Sequence, residues 1–274
     1  MNNLLARLLT AAVLVPVLIA AILWSNPLGV WGIVILATGI GLREYYNMTM
    51  PTRPVSERAV AVALGLVLAA SIYWLPATLH APVLAGVTIA GFLYYLFFYG
   101  EMESVAVRVA AMLFGSLYCG LLTFVALLKL SPSSTQGAWV LVVLTCTWFS
   151  DTGAYFAGRF IGKYWPRKLY EAVSPKKTLI GGIGGMAGSF GALALAKAWY
   201  LPELSWIDCV LVSVPANLLG QMGDLCESML KRAVGVKDSG ALLPGHGGML
   251  DRVDALLFSA PYIWVYTQYV FGKI

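Results

Sequence analysis

Long apolar runs alternate with short polar connections along the chain, and this pattern predicts membrane-spanning helices. A spanning helix needs about 20 mostly apolar residues. Nine runs reach or approach that length, at 8–24, 28–46, 59–76, 82–99, 110–128, 137–157, 179–199, 207–223 and 253–271. The pattern therefore predicts an all-α, polytopic integral membrane protein with about nine transmembrane helices.

The composition supports the same class of protein. The chain has 274 residues, of which 59% are apolar and only 11% are charged, and its mean hydropathy is +0.79. A soluble domain carries about 25% charged residues. The net charge of +5 does not indicate a nucleic-acid partner, because the basic residues follow the membrane topology. The four cysteines have neither the spacing of zinc ligands nor that of disulfide pairs, so we interpret them as ordinary small apolar residues.

The distribution of lysine and arginine predicts the orientation in the membrane. If the N-terminus is cytoplasmic, every basic residue of the 18 except Lys129, Lys197 and Lys273 falls in a cytoplasmic segment. Positive residues favour the cytoplasmic side, so the C-terminus is expected outside. We expect scaffold helices in 1–136 and a catalytic region in 137–274, with cytoplasmic loops at 158–178 and 224–252.

The most densely charged stretch lies at 228–254 and reads SMLKRAVGVKDSGALLPGHGGMLDRVD. Side chains spaced i, i+3, i+4 and i+7 share one helix face, and four residues just before and at the start of this stretch have that spacing: Asp224, Glu227, Ser228 and Lys231. Asp251 and Asp254 share a face in the same way. Three aspartates from two helix ends suit Mg²⁺, which prefers carboxylate oxygens and leaves room for substrate phosphates. The alternative interpretation is a solvated loop with salt bridges.

A glycine-rich turn interrupts this stretch. Gly247 and Gly248 leave the backbone uncovered, so that amide N–H groups can approach a phosphate closely. His246 lies in the same turn. Two interpretations of His246 remain open, a base or ligand on one side and a residue that only shapes the turn on the other.

Two further stretches carry candidate residues. Asp151 lies within an apolar run, where an ionisable side chain is costly and is a functional candidate by default; a helix-packing hydrogen bond is the alternative. Lys176 and Lys177 follow Ser174 just before a helix, which suits phosphate binding, although ordinary positive-inside charge also explains them. Overlapping GxxxG pairs behind them favour close helix packing: Gly181, Gly184, Gly185 and Gly188.

These motifs resemble the signature of the phosphatidate cytidylyltransferase (CDP-diacylglycerol synthase) family, bacterial type. That signature reads Ser-x-x-Lys-Arg, then Lys-Asp, then Pro-x-His-Gly-Gly-x-x-Asp-Arg-x-Asp, and it matches throughout residues 228–254. The Asp-Thr-Gly-Ala-Tyr stretch at 151–155 and the Ser-Pro-Lys-Lys-Thr stretch at 174–178 also match. The clear resemblance covers roughly 140–260, whereas the N-terminal half agrees only in length and hydropathy. One departure is that Leu179 and Ile180 stand where the family commonly has Trp-Glu.

The resemblance implies transfer of CMP from CTP to phosphatidate, giving CDP-diacylglycerol and pyrophosphate. It implies Mg²⁺ on Asp224, Asp251 and Asp254, with Mn²⁺ as a substitute and room for a second cation. The same three aspartates would act catalytically with Lys231 and Arg232. The implied substrate-binding residues are Asp151, Ser174, Lys176, Lys177, Ser228, Lys237, Asp238, His246, Gly247, Gly248 and Arg252. It further implies a homodimer in the bacterial inner membrane, with the active site facing the cytoplasm.

Two rival functions remain open at this stage. A related membrane cytidylyltransferase acting on another lipid phosphate would carry the same residues. An ion-coupled transporter would explain the helices and Asp151, but it would not explain a long charged segment with paired aspartates outside the membrane.

Overall fold

The computed structural model describes residues 3–133, 135–242 and 247–271. Within these residues the chain forms ten α-helices: α1 (Asn3–Leu23), α2 (Leu28–Thr49), α3 (Val55–Trp74), α4 (His80–Phe98), α5 (Val105–Gly120), α6 (Thr123–Leu128), α7 (Ala138–Phe160), α8 (Leu179–Trp199), α9 (Trp206–Ala233) and α10 (Leu250–Tyr269). Each of the nine predicted runs is occupied by helix, and α5 and α6 share one of them. The predicted class, an all-helical polytopic membrane protein, is confirmed.

Length and hydropathy separate these helices into two groups. Seven helical stretches of the described residues are long and apolar enough to cross a membrane. Helix α10 is not among them, because its first turns carry Asp251, Arg252 and Asp254. The segment Leu14–Leu23 of α1 is a shorter apolar helix. The polar start of α10 belongs to the charged residues described below.

A short antiparallel hairpin, which the sequence analysis missed, lies between α7 and α8. Its strands are β1 (Lys168–Tyr170) and β2 (Ser174–Thr178). Helix α8 starts directly after β2, and the Thr178 hydroxyl caps it by accepting the Gly181 N–H at 3.1 Å. A hydroxyl at this position satisfies one of the unpaired N–H groups of a helix start. The hairpin thus fixes Lys176 and Lys177 at the N-terminus of α8.

Helix α9 continues to Ala233, beyond the predicted end of its apolar run at residue 223. It begins with a capping box, in which Ser205 and Asp208 bond each other's backbone N–H groups. At 1.5 Å per residue its 28 residues span about 42 Å, more than the roughly 30 Å of a bilayer core. Its last turns therefore extend past the hydrocarbon core, and Asp224 and Glu227 lie in these helical turns rather than in a loop.

Helices α7 and α8 approach each other closely along the predicted small-residue seam. A Cβ at Gly184 would collide with Ala157, and one at Gly188 would collide with the Phe149 carbonyl. Only glycine leaves the backbones this close, so the predicted packing role of the GxxxG pairs is confirmed. The seam holds α7, and with it Asp151, firmly against α8.

Contacts between helix ends show that the polar connections lie on alternating ends of the bundle. At one end, Arg53 after α2 forms an ion pair with Glu101 after α4 at 2.8 Å, and buried Glu57 and Arg108 form another at 3.2 Å. We call this the charged end, because the hairpin and the segments 234–242 and 247–249 lie there too. At the opposite end, Ser131 bonds Thr267 at 2.9 Å. This alternation is what successive membrane-spanning helices require.

Candidate active site

Three cavities meet at the charged end between α1, α7, α8, α9 and α10. The central cavity has a volume of about 380 Å³ and is lined by Asp151, Asn217, Asp224, Glu227, Lys231, Asp238, Asp251, Arg252 and Asp254 among others. The basic cavity, about 460 Å³, is lined by Asp151, Arg159, Lys176, Lys177, Gln221 and Asp224 among others. The amphipathic cavity, about 420 Å³, is lined by Leu14, Val15, Leu18, Trp148, Asp151, Arg252, Asp254 and Leu256 among others. Asp151 borders all three.

Lys231 joins the two helices that carry the carboxylates. Its ammonium donates to Glu227 Oε2 at 2.6 Å and to Asp251 Oδ1 at 2.5 Å. Lys231 and Glu227 lie on one face of α9, as the spacing predicted, and Asp251 lies in the first turn of α10. Lys231 and Glu227 are buried. Removing one partner of a buried ion pair is strongly destabilising, because the other charge is left buried without compensation. The ion pairs therefore lock the end of α9 to the start of α10.

Asp251 also fixes the segment that precedes α10. Its Oδ2 accepts the Ser239 N–H at 3.0 Å, the Ser239 hydroxyl at 3.0 Å and the Gly248 N–H at 2.8 Å. Gly247 adopts a φ of +79°, a conformation that favours glycine. The Gly248 amide, which the sequence suggested for a phosphate, thus bonds the Asp251 carboxylate.

Glu44 on α2 is a member of the site that the sequence analysis did not identify. It is buried, and it accepts the Met249 N–H at 2.9 Å, the Leu250 N–H at 2.9 Å and the Ser239 hydroxyl at 3.1 Å. A carboxylate at a helix N-terminus satisfies free N–H groups and complements the helix dipole. A Cβ at Gly248 would come within 2.6 Å of Glu44 Oε2. The N-terminal half therefore caps α10 directly.

Asp224 connects the central and basic cavities. Its carboxylate forms an ion pair with Lys177 from the hairpin, and the Ser228 hydroxyl lies 3.5 Å from its Oδ1. Lys176 is exposed and borders the basic cavity beside Arg159. The predicted phosphate-binding lysines thus reach the predicted metal-binding carboxylates.

Asp254 and Asp151 complete the acidic lining. Asp254 accepts its neighbour's N–H, from Ala255, at 2.7 Å, and it experiences the negative charges of Asp224 and Glu227. Asp151 lies within the fields of Asp224, Lys177 and Arg252. Because Asp151 lines the cavities, its position favours the interpretation as a site residue over the interpretation as a helix-packing hydrogen bond.

The remaining predicted residues are less closely involved. Arg232 is exposed and donates to the Val236 carbonyl at 3.0 Å, so it closes the turn after α9 and does not line any of the three cavities. Lys237 is exposed, whereas Asp238 lines the central cavity. Ser174 begins β2 outside the cavities. His246 lies outside the described residues.

The oxygen donors of the central cavity fit a hard cation such as Mg²⁺. Glu227 Oε1 is buried and has no hydrogen-bond partner among the described residues, which leaves one acceptor free in the cavity wall. In this arrangement, however, lysine ammonium groups occupy Asp224 and Asp251. No three His, Cys, Asp or Glu side chains of the described ranges are gathered into a cation site. The set Asp224, Asp251 and Asp254 stays a prediction.

Fold and site together define a polytopic membrane protein with a charged reaction cavity at one end of its helices. Comparison with known proteins specifies the class. The cytidylyltransferase family model matches residues 5–270. A phosphatidate cytidylyltransferase of Synechocystis sp. is 32% identical over 257 residues, which cover 83% of this chain and 84% of that protein.

Two further relatives carry the same name and align over shorter stretches. The protein of Bacillus subtilis is 45% identical over 120 residues, 43% of this chain and 42% of its own length. The protein of Staphylococcus haemolyticus is 42% identical over 125 residues, 46% of this chain and 47% of its own. The chain belongs to the cytidylyltransferase family and is a membrane-bound nucleotidyltransferase. The family match includes the N-terminal half, which the sequence analysis had related to the family only by length and hydropathy.

Proposed function

We propose that this protein transfers CMP from CTP to phosphatidate and releases pyrophosphate. The observation that carries the proposal is the meeting of acidic and basic cavities at Asp224, where Lys177 and the carboxylates of α9 and α10 lie together. Carboxylates next to lysines and arginines suit a metal–triphosphate substrate. The names of the relatives support phosphatidate as the acceptor.

The reaction needs positioning and charge neutralisation more than covalent help. A phosphatidate oxygen attacks the α-phosphorus of CTP, the bond from that phosphorus to the bridging oxygen breaks, and pyrophosphate leaves. Lys176, Lys177 and Arg159 would hold the triphosphate in the basic cavity. Asp224, Asp251 and Asp254 would hold Mg²⁺, which neutralises charge on the triphosphate when it is bound. Lys231 keeps the Asp251 carboxylate oriented through its ion pair.

The substrate assay separates this function from its closest rival. Purified protein would be incubated with radiolabelled CTP, Mg²⁺ and a panel of lipid phosphates that includes phosphatidate and isoprenoid phosphates. We expect label in the lipid fraction chiefly with phosphatidate. Preferential labelling of an isoprenoid phosphate would show that this lipid, and not phosphatidate, is the acceptor. The absence of label from every lipid would refute cytidylyl transfer.

The hairpin lysines give a specific kinetic prediction. Changing Lys176 and Lys177 together to Gln should raise the apparent KM for CTP about tenfold or more, because each charge-assisted hydrogen bond contributes about 1.5–3 kcal/mol. Lys168→Gln is the matched control, since Lys168 lies on the same hairpin and does not line the basic cavity. Equal KM values for the double variant and this control would show that the two lysines do not bind CTP and only contribute positive-inside charge.

We further propose that the charged end faces the cytoplasm of a bacterial cell, in the inner membrane, because the positive residues concentrate there. A cysteine replacing exposed Tyr170 should react with an impermeant maleimide only after cells are opened, whereas one replacing exposed Trp199 at the other end should react in intact cells. Cys226, the one partly exposed native cysteine, would be changed to Ser first. The reverse labelling would invert the orientation. The proposed homodimer is tested by the mass of the purified protein in detergent.

A further inference from the structure

The wall of the basic cavity contains an uncharged amide side chain, that of Gln221. This residue lies on α9 one helical turn before Asp224, and it lines the central cavity as well. At 1.5 Å per residue, the two positions are about 4.5 Å apart along the helix axis. A group that is bound beside Gln221 is therefore close to the carboxylates at which the reaction is proposed to take place.

Hydrogen bonds fix the direction in which this amide points. The side-chain NH₂ group of Gln221 donates to the Gly182 carbonyl of α8 at 3.1 Å and to Asn217 Oδ1 at 2.6 Å. A backbone carbonyl only accepts hydrogen bonds, and an amide NH₂ group has two donors. Both donors of Gln221 are therefore used. If the amide were turned over, its oxygen would face two acceptors.

Asn217 is held in turn by the helices on its other side. Its NH₂ group donates to Ser150 Oγ of α7 at 2.6 Å and to Ser189 Oγ of α8 at 3.2 Å. The Ser189 hydroxyl donates to the Cys146 carbonyl at 3.1 Å. Asn217 and Ser189 are buried, and a buried polar network whose members are satisfied is rigid. The network therefore ends in a Gln221 oxygen with a fixed direction.

This oxygen, Gln221 Oε1, is an acceptor that the rest of the described chain leaves free. None of the hydrogen bonds between described residues reaches it. It lies beside the Cα atom of Gly182, where an added Cβ would come within 2.8 Å of it, and Gly182 lines the basic cavity too. Because glycine has no side chain, the oxygen stays uncovered and is available to a ligand that carries a hydrogen-bond donor.

The same cavity supplies an aromatic surface for a flat ring. Tyr155 is exposed and lines the basic cavity. Arg159 donates to the Tyr155 hydroxyl at 2.6 Å, and its guanidinium carbon lies 5.8 Å from the centre of the ring. Aromatic rings and guanidinium planes are the groups on which nucleobases stack in proteins. The cavity thus combines cations for phosphates, a stacking surface and one fixed acceptor.

We propose that Gln221 recognises the nucleobase, and that its Oε1 accepts a hydrogen bond from the exocyclic amino group of cytosine. Uracil carries a carbonyl oxygen at the same position, so that an acceptor would face the fixed acceptor. A site built to hydrogen-bond a substrate group strongly rejects the analogue that lacks this group. The assignment rests on the proposed function and adds the residue that selects CTP over UTP.

Gln221→Met tests the assignment through the ratio of kcat/KM for CTP to kcat/KM for UTP. Methionine keeps the length of the side chain and removes the acceptor, so the value for CTP should fall whereas that for UTP should not. We expect the ratio to fall at least about tenfold, which corresponds to about 1.4 kcal/mol. A purely structural role of Gln221 would lower both values equally, and an unchanged ratio would overturn the assignment.

The double change of Lys176 and Lys177 to Gln provides the contrast to this variant. It weakens contacts to phosphates, which CTP and UTP share, so both kcat/KM values should fall and their ratio should stay that of the wild type. A ratio that falls as far as in Gln221→Met would show that selectivity for the base does not depend on Gln221 in particular.

The glycine that leaves the oxygen uncovered gives a second variant. Gly182→Ala places a methyl group against Gln221 Oε1 and should lower the CTP-to-UTP ratio in the same direction. Gly191→Ala is the matched control on α8, because a Cβ there would meet nothing within 4 Å and Gly191 lines none of the three cavities. Equal ratios in these two variants would contradict an acceptor at this place.

A binding experiment on the unaltered protein is independent of turnover and of variant folding. Displacement of radiolabelled CTP would be measured with Mg²⁺ and without lipid, by unlabelled CTP and by a CTP analogue with hydrogen in place of the 4-amino group. We expect the analogue to bind at least about tenfold more weakly than CTP. Equal binding of the two compounds would overturn the assignment even in a protein that transfers CMP. An inactive wild-type protein in the panel assay would instead refute the proposed function.

Discussion

Asp224→Asn should lower kcat for cytidylyl transfer by at least about 10²-fold, the scale of losing one electrostatic stabiliser. The substitution keeps the shape of the side chain and removes the charge that is proposed to share a cation with Asp251 and Asp254. Asp224 is partly exposed, and its partners among the described residues are only Lys177 and Ser228, so folding should survive. The thermal unfolding midpoint in detergent checks this expectation.

The partner substitution, Asp251→Asn, should cause a loss of similar size, and the double variant should be little worse than either single variant. Residues that act as one unit give strongly non-additive effects. Asp251→Asn also removes a partner of buried Lys231, so its unfolding midpoint should fall, unlike that of Asp224→Asn.

The metal is tested separately from activity. Mn²⁺ binding followed by electron paramagnetic resonance should be present in the wild type with CTP, and weakened in Asp224→Asn. Substantial cytidylyl transfer in EDTA, or small and additive losses in the two single variants, would refute the shared cation.

Glu44→Ala should reduce both stability and kcat, although Glu44 lies on α2 in the N-terminal half. Its removal leaves the Met249 and Leu250 N–H groups without their side-chain acceptor, and it removes one of the two carboxylates that face the Ser239 hydroxyl. A hydrogen bond to a charged group contributes about 1.5–3 kcal/mol. Because Ser239 also holds Asp251, we expect kcat to fall at least about tenfold together with the unfolding midpoint.

The neighbouring residue provides the control for this prediction. Arg43 lies beside Glu44 in the chain but is exposed, so Arg43→Gln should leave kcat and the unfolding midpoint close to the wild type. Glu44→Gln should give an intermediate loss, because its amide keeps one acceptor and introduces a donor facing other donors. Wild-type kcat in Glu44→Ala would show that α2 does not position the site.

The helices and the acidic face could be predicted from the sequence because both depend on local spacing. Apolar runs of spanning length identified the helices, and the i, i+3, i+7 spacing of Asp224, Glu227 and Lys231 placed them on one face. The end of α9 was less predictable, since its last turns are polar and hydropathy alone ends the span at 223. The hairpin escaped notice because its strands are short and lack the alternating pattern of a half-buried strand.

Contacts between distant segments could not be predicted in this way. Glu44 is about 200 residues from Leu250 in the chain, and its local sequence resembles an ordinary helix end. The exposed position of Arg232 depends on the turn after α9, which the signature does not reveal. The meeting of three cavities at Asp151 likewise arises only when distant helices pack together.

Cytidylyl transfer is identified most directly by the phosphorus of CTP that reaches the lipid. Parallel reactions of the purified protein with phosphatidate and Mg²⁺ would use CTP labelled with ³²P at either the α or the γ position. We expect the lipid product to carry label only from α-labelled CTP, while the γ label appears in pyrophosphate. Label in the lipid from γ-labelled CTP would show phosphoryl transfer instead and would contradict attack at the α-phosphorus.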